Sequence, residues 1–338
     1  MKIGVQMPEV EREYRWPEIR DIARTAEDVG FDSLWVGDHL LYRDENGARG
    51  PWEVWSVLAA LAEATERVEL GPLVAATSFH NPAMLAKKAV TVDEISGGRL
   101  VLGLGAGWNR TEYEAYGFAY DNRVSRFEEA FTIIRTLIRE GAIDFEGRYH
   151  RLRDMELIPR ARPDLPLLIG SNGPRMLRIA APHVQMWNTW HASYGNTPEG
   201  LVELMGVVDE AAREVGRDPA EIERTAAVLV QLEGGTGRLA GTERPVTPPI
   251  TGSADEIAAA LDAFAEAGMD HIQLVVDPIN ARSVESLAPV LERRSTQSSA
   301  TSTAEILTSD SGRSLRSVFE SAMASTTSMP SVTFPKMV

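Results

Sequence analysis

The sequence predicts an α/β fold of the (β/α)8 class, a TIM barrel with insertions. Eight short apolar segments alternate with amphipathic segments over residues 1–294, which is the strand and helix count of such a barrel. Segments 28–36 and 266–274 also repeat one order of helix end, glycine, aspartate and strand. The alternative, a doubly wound open sheet, usually lacks so many units in one uninterrupted series. Residues 1–294 are therefore interpreted as one barrel domain.

The predicted strands are short apolar runs that end at glycine, proline or polar loops. They are placed at residues 3–6, 33–36, 68–75, 99–108, 167–170, 184–187, 225–230 and 271–276. Helices are indicated by apolar spacing and by capping residues such as Asn81 and Ser253. They are placed at 17–30, 55–64, 81–95, 125–140, from 174, 197–215, from 253, and 283–294.

Several segments fall outside this alternation. Residues 42–50 are predicted to be a polar loop, 109–122 a longer excursion, and 145–150 a small hairpin. Residues 295–338 are rich in serine and threonine, and their apolar residues lack sustained periodicity. This tail is predicted to be mostly disordered, with one short helix near 315–324.

Composition narrows the classes of function. The formal net charge of −15 argues against nucleic acid and anionic membranes as partners. The chain has no cysteine, which excludes disulfide and thiolate chemistry. Its first residues indicate a strand rather than a secretory signal, and no apolar run is long enough to span a bilayer. A cytoplasmic protein acting on a small molecule is the expectation, with a homodimer left open.

The fourth predicted strand has an unusual end. Glycine occupies positions 103, 105 and 107, just before Trp108. Alternate glycines remove side chains from one face of the chain, so that a ligand can lie on the backbone. The spacing is not that of a dinucleotide-binding loop, because Trp108 stands where its third glycine would be. Tight packing without a ligand explains such a stretch equally well.

Catalytic residues are expected where barrel strands end. Asp38 and His39 follow the second strand, and a carboxylate beside a histidine suits proton transfer near neutral pH. His80 and His191 fit ordinary loops as well as a site. The strand ends contain no cluster of side chains at the spacing of metal ligands, so no catalytic metal is expected.

The loop of residues 170–175 enters a helix at Pro174, with free backbone amides and the guanidinium of Arg175 nearby. Helix N-termini of this kind bind phosphate. The loop is therefore favoured as a phosphate site over a tight turn with Arg175 and Arg178 on a solvated face.

These residues carry a resemblance to a known family. Segments 30–39, 70–82 and 98–108, with 112–117 and 168–170, resemble the luciferase-like monooxygenase superfamily. Within it, the sequence is most similar to oxidoreductases that use the deazaflavin coenzyme F420. One departure is the string Val184-Gln-Met-Trp-Asn188, which lacks the aspartate and glycine often found after strand six in these proteins.

The resemblance implies a luciferase-like barrel with the ring of F420, or alternatively FMN, at the carboxyl ends of the strands. It implies a cis peptide bond between Leu73 and Val74, and a proton supplied by His39 with Asp38 orienting or assisting it. The residues expected at the cofactor are Leu73, Val74, Gly105, Ala106, Gly107, Trp108, Gly170, Ser171, Asn172 and Gly173, the last four receiving its phosphate.

The expected function is hydride transfer between the deazaflavin and a small organic substrate. The alternatives are an FMN-dependent monooxygenase and a barrel that binds a flavin or deazaflavin without catalysis. A barrel isomerase or aldolase acting on a phosphorylated metabolite would need a lysine at a strand end, whereas Lys87 and Lys88 fall inside a predicted helix.

Overall fold

Eight parallel strands form a barrel in the computed structural model, which describes residues 1–44, 47–236 and 247–293. The barrel strands are β1 (Lys2–Gln6), β2 (Ser33–Val36), β5 (Glu69–Pro72) with β6 (Ala75–Ala76), β7 (Leu102–Gly105), β10 (Leu167–Gly170), β11 (Met186–Thr189), β12 (Glu223–Gln231) and β13 (His271–Asp277). The predicted tail, 295–338, and its helix near 315–324 lie outside the described residues.

The third strand closes the barrel. Its first half, β5, pairs with β2, and its second half, β6, pairs with β7. The two halves are separated by Leu73 and Val74, which are joined by a cis peptide bond. A bridge between Leu70 and Leu100 links β5 to the chain just before β7. The predicted (β/α)8 barrel and the predicted cis bond are therefore both confirmed.

Helices follow the strands and cover the outside of the barrel. The helices are α1 (Trp16–Val29), α2 (Val54–Ala64), α3 (Pro82–Ile95), α4 (Arg110–Tyr116), α5 (Arg123–Arg139), α6 (Pro174–Ala180), α7 (His191–Tyr194), α8 (Pro198–Glu214), α9 (Ala254–Glu266) and α10 (Ala281–Glu285). The predicted caps form: Asn81 accepts from the Met84 amide, and Ser253 makes the capping box with Glu256. None of the helices in the described residues combines the length and apolar character needed to cross a bilayer.

Four predictions of local structure differ from the model. The polar loop after β2 contains an antiparallel hairpin, β3 (Tyr42–Asp44) with β4 (Gly47–Arg49). The excursion after β7 contains α4. The sixth strand begins two residues later than predicted, because backbone pairing with β10 starts at Met186. The last helix divides into α10 and a second helical segment at 288–293. The small hairpin is present as β8 (Ala142–Glu146) and β9 (Arg151–Glu156).

Large side chains fill the barrel interior below the carboxyl ends of its strands. Trp35 is fully buried there and packs with Val101, Leu168 and Met186. Its indole N–H donates to Ser33 Oγ, which also lies 2.7 Å from His271 Nε2. Because the interior is packed, a ligand enters only from the end where the strands lead into loops.

Candidate active site

A cleft of about 670 Å³ opens at the carboxyl ends of the barrel strands. We call it the main cleft. All twelve residues predicted for the site line it: Asp38, His39, Leu73, Val74, Gly105, Ala106, Gly107, Trp108, Gly170, Ser171, Asn172 and Gly173. The structure thus brings together four segments that are separated by tens of residues in the sequence, although it does not assign their roles.

Glycines form one wall of the main cleft because the side chain of Val74 occupies the space beside them. A Cβ placed on Gly105 would lie 2.7 Å from Val74 Cγ2, and one on Gly170 would lie 2.8 Å from the same atom. Both distances are below ordinary van der Waals contact, so a larger residue would displace Val74. The glycines therefore serve the packing of Val74, and Val74 with them lines the cleft.

His39 is held from one side by Glu112, a residue of α4. Its Nδ1 lies 3.1 Å from both carboxylate oxygens of Glu112. The same carboxylate accepts from the backbone amides of Leu40, at 2.6 Å, and Leu41, at 3.2 Å. Because an ionised carboxylate can only accept hydrogen bonds, Nδ1 must carry the proton that it donates to Glu112. This bond fixes the orientation of the ring, and Nε2 is the nitrogen that Glu112 does not contact.

Asp38 is directed away from His39. Its Oδ2 accepts from the Ala76 amide at 2.8 Å and lies 2.9 Å from His80 Nε2. The expectation that Asp38 orients His39 is thus corrected in one respect, since the orienting hydrogen bonds come from Glu112. His80 enters the site only through Asp38, and neither His80 nor His191 is among the residues that line the main cleft.

Glu9 lies on the other side of the His39 ring. Its Oε1 is 3.7 Å from His39 Nε2 and accepts a hydrogen bond from the Tyr42 hydroxyl at 3.1 Å. Burial by itself lowers the pKa of His39, but the charges of Glu9, Glu112 and Asp38 outweigh it, and the pKa is raised above its usual value. The imidazole therefore binds a proton more readily than an ordinary histidine.

The rings around His39 form an aromatic border. Tyr42 lies 4.9 Å and Trp108 5.6 Å from His39 between ring centroids. Trp108 remains 42% exposed at the mouth. These contacts place the glycine-rich strand end and the loop after β2 on the same side of the main cleft.

The predicted phosphate loop lines the opposite part of the main cleft, but its arginine does not. Arg175 is exposed, and its guanidinium contacts Ser125 Oγ and Glu128 Oε2 at 3.0 and 2.8 Å. Arg123, at the start of α5, is the guanidinium among the described lining residues. It donates to the Gly107 carbonyl at 2.8 Å and stacks over the Tyr120 ring.

Some buried polar atoms of the lining are available to form hydrogen bonds with a ligand. Within the described part of the chain, Asn172 Oδ1 and Trp190 Nε1 are buried without a partner. Asn188, which also lines the cleft, donates through its side-chain amide nitrogen to Thr225 Oγ1 and Gln273 Oε1, and these two bonds leave its carbonyl oxygen as an acceptor. A ligand with both donors and acceptors, such as a flavin or deazaflavin ring edge, fits this set.

Sequence reasoning did not assign Glu9, Glu112 or Arg123 to the site, although all three line the main cleft. Glu9 follows β1, so the strand-end rule could have found it had that rule been applied to the first strand. Glu112 lies in segment 112–117, which carries part of the family resemblance, but its contact with His39, 73 positions away, could not be predicted from the local sequence. Among the described residues, no group of three histidine, aspartate or glutamate side chains is arranged to hold a metal.

Sequence comparison identifies relatives of this chain. It is 30% identical over 222 residues to an F420-dependent glucose-6-phosphate dehydrogenase of Amycolatopsis mediterranei, covering 64% of this chain and 65% of that protein. It is 35% identical over 183 residues to a 5,10-methylenetetrahydromethanopterin reductase of Archaeoglobus fulgidus, covering 54% and 50%. The chain thus spans between half and two thirds of the length of these curated relatives.

Solved structures share the fold. An F420-dependent secondary alcohol dehydrogenase, in complex with an F420-acetone adduct, matches 86% of this chain and 97% of its own with a TM-score of 0.71 and 22% identity. The monooxygenase RslO1 from Streptomyces bottropensis matches 87% and 99% with a TM-score of 0.72 and 23% identity. The model of the luciferase-like monooxygenase family matches residues 1–234. The chain therefore belongs to the luciferase-like monooxygenase family.

Proposed function

We propose that this protein is an oxidoreductase that uses coenzyme F420 to move a hydride to or from a small organic substrate. The observation that carries the proposal is that a glycine-lined wall and a histidine with a raised pKa line the same cleft. Gly105 and Val74 leave an open apolar face, and His39 stands at the same cleft with a proton to give. The F420-dependent relatives in sequence support the choice of cofactor.

The lining of the main cleft fits a deazaflavin. Its volume of about 670 Å³ lies in the range of cofactor sites. The unpartnered Asn172 Oδ1 and Trp190 Nε1 supply an acceptor and a donor, and Asn188 adds a second acceptor. The bound coenzyme would supply or accept a hydride, which is chemistry that side chains lack. Gly170–Gly173 would receive its phosphate, with Arg123 as the nearest lining guanidinium.

His39 would donate or accept the proton that accompanies hydride transfer. Glu112 holds Nδ1–H, so Nε2 is the nitrogen available to a substrate in the main cleft. In the reducing direction, Nε2–H donates to the substrate oxygen as that oxygen gains charge. In the oxidising direction, Nε2 accepts the proton of a substrate hydroxyl. Asp38 contributes by charge, since it raises the pKa of His39 without contacting the ring.

The proposal is tested by titrating the purified protein with F420 and, separately, with FMN, while following the fluorescence of each. Saturable quenching of F420 is expected, with weaker or no response from FMN. Tight FMN binding without a response to F420 would favour the monooxygenase alternative, and binding of neither would contradict the proposed function.

A turnover assay distinguishes an enzyme from a barrel that binds the cofactor without catalysis. Oxidation of reduced F420 is followed against a panel of aldehydes, ketones and activated alkenes, first with the wild type and then with His39→Ala. We expect His39→Ala to lower the rate by about 10² or more, the usual contribution of a general acid, while F420 still binds. Equal rates in both proteins would remove His39 from the mechanism.

A further inference from the structure

A second cavity of about 410 Å³ lies beside the main cleft, on the side of β1 and β2. It is lined by the segment after β1, by Gly37 and by the outer hairpin that includes Arg49. Among the described residues, Glu9 is the one that lines both the second cavity and the main cleft. Nothing in the proposed hydride transfer uses this cavity, so its contact with Glu9 calls for a separate explanation.

The carboxylate of Glu9 is placed between the two spaces by close packing. Its Oε1 accepts from the Tyr42 hydroxyl, and Gln6 Nε2 donates to Oε2 at 3.4 Å. Its side chain is only 9% exposed. A Cβ on Gly37 would lie 2.8 Å from Oε1, so an alanine there would shift the carboxylate from this position.

The two nitrogens of His39 differ in their access to a base. Nδ1 is engaged by Glu112, whose carboxylate is almost fully buried and also accepts two backbone amides. Nε2 lies 3.7 Å from Glu9 Oε1, a gap that a small rotation of the Glu9 side chain closes. Asp38 and its partner His80 face each other instead. A proton that leaves or reaches Nε2 without crossing the main cleft therefore has Glu9 as its nearest carrier.

We propose that Glu9 exchanges the Nε2 proton of His39 with solvent in the second cavity. In the forward step, the Glu9 carboxylate takes a proton from a hydronium ion in the second cavity, which becomes water. The carboxyl then gives that proton to neutral Nε2, the N–H bond forms as the O–H bond breaks, and the carboxylate is restored. The reverse sequence removes a proton. The proposal rests on the proposed function in one respect: a filled main cleft would block direct access of water to Nε2.

The route is tested on protein labelled with ¹⁵N-histidine. The signal of His39 among the six histidines is assigned by its loss in His39→Asn, and the rate of exchange of its Nε2–H with water is measured by NMR. Glu9→Gln keeps the shape of the side chain and removes the base. We expect exchange to slow at least tenfold in this variant, both without ligand and with F420 added.

Two further variants control for structure and charge. Gly37→Ala keeps the Glu9 charge but moves the carboxylate, and we expect a rate between those of wild type and Glu9→Gln. Glu13→Gln removes a carboxylate that lines the second cavity but is 74% exposed and paired with Arg15, and we expect exchange within twofold of wild type. Thermal melting verifies that each variant is folded.

The outcomes separate this proposal from the proposed function. If Glu9→Gln, or Gly37→Ala, exchanges at the wild-type rate, the proton travels through the main cleft and the proposal is wrong. If F420 fluorescence is not quenched by the same wild-type sample, the proposed function fails, while the comparison without ligand still decides the route. Wild-type exchange that stops when F420 binds would also overturn the proposal.

Discussion

Glu112 fixes His39 across 73 positions of the sequence, with its carboxylate 3.1 Å from Nδ1. The link joins α4, which belongs to no βα unit of the barrel, to the loop after β2. Because Glu112 also accepts from two amides of that loop, it positions the backbone and the ring together. Loss of its charge should therefore affect the protonation of His39 more than the fold.

Glu112→Gln is expected to lower the pKa of His39, because an adjacent opposite charge and its hydrogen bond to Nδ1 are weakened or removed. The amide oxygen can still accept from the Leu40 backbone, so the variant should fold. The pKa is measured by NMR titration of ¹⁵N-histidine. Glu114→Gln, on the exposed face of α4 where it pairs with Arg110, is the matched control and should leave the His39 titration unchanged.

Gly170→Ala is expected to weaken F420 binding at least tenfold and to destabilise the protein by about 1–3 kcal/mol, the usual cost of overpacking. The reason is the Val74 side chain, 2.8 Å from where the new Cβ would lie. Fluorescence titration and chemical denaturation measure the two effects. Gly206→Ala is the control: Gly206 lies inside α8 with nothing near its Cβ, and alanine there should raise stability by about 0.5–1 kcal/mol. Unaltered F420 affinity in Gly170→Ala would contradict the proposed placement.

Arg123→Met is expected to reduce F420 affinity about tenfold, because a charge-assisted bond contributes about 1.5–3 kcal/mol. The affinity of the wild type should also fall as salt is added, and that dependence should weaken in the variant. Arg175→Met removes the exposed guanidinium that pairs with Glu128 and serves as the control. Equal losses in the two variants would show that Arg123 has no special role.

The barrel could be predicted because its units repeat a local pattern. Each strand carries an apolar run, and several helices carry caps such as Asn81 and Ser253. The strand-end rule then places His39 and Gly105 at one face of the barrel. This part of the structure depends on short-range sequence features, which can be recognised without knowing the contacts between distant residues.

The contacts within the site could not be predicted, because they depend on insertions. The position of Glu112 depends on how the segment after β7 folds back over the loop after β2, and no periodic pattern marks that segment. The position of the Arg175 side chain could not be predicted either, because it forms an ion pair with Glu128 on α5 and does not line the cleft. The direction in which a charged side chain points is set by its nearest opposite charge, which the sequence order does not reveal.

His271 provides the last prediction, which concerns stability at low pH. It is fully buried at the base of the barrel, with Nε2 2.7 Å from Ser33 Oγ. Burial, together with the positive charges of Lys2 and the N-terminus, lowers its pKa to about 3. The folded protein therefore keeps His271 neutral in a range of pH where the unfolded chain binds a proton.

The sign of the effect follows from that difference. Below the usual pKa of histidine, about 6.5, the unfolded state holds one more proton, so stability falls as the pH falls. His39 has the opposite sign, because its raised pKa stabilises the folded state at low pH. We expect His271→Gln to remove up to about 1.4 kcal/mol per pH unit from the slope of unfolding free energy between pH 6 and 5. Denaturant unfolding at these two pH values, compared with wild type, measures the slope, and identical slopes would show that His271 is protonated in the folded barrel.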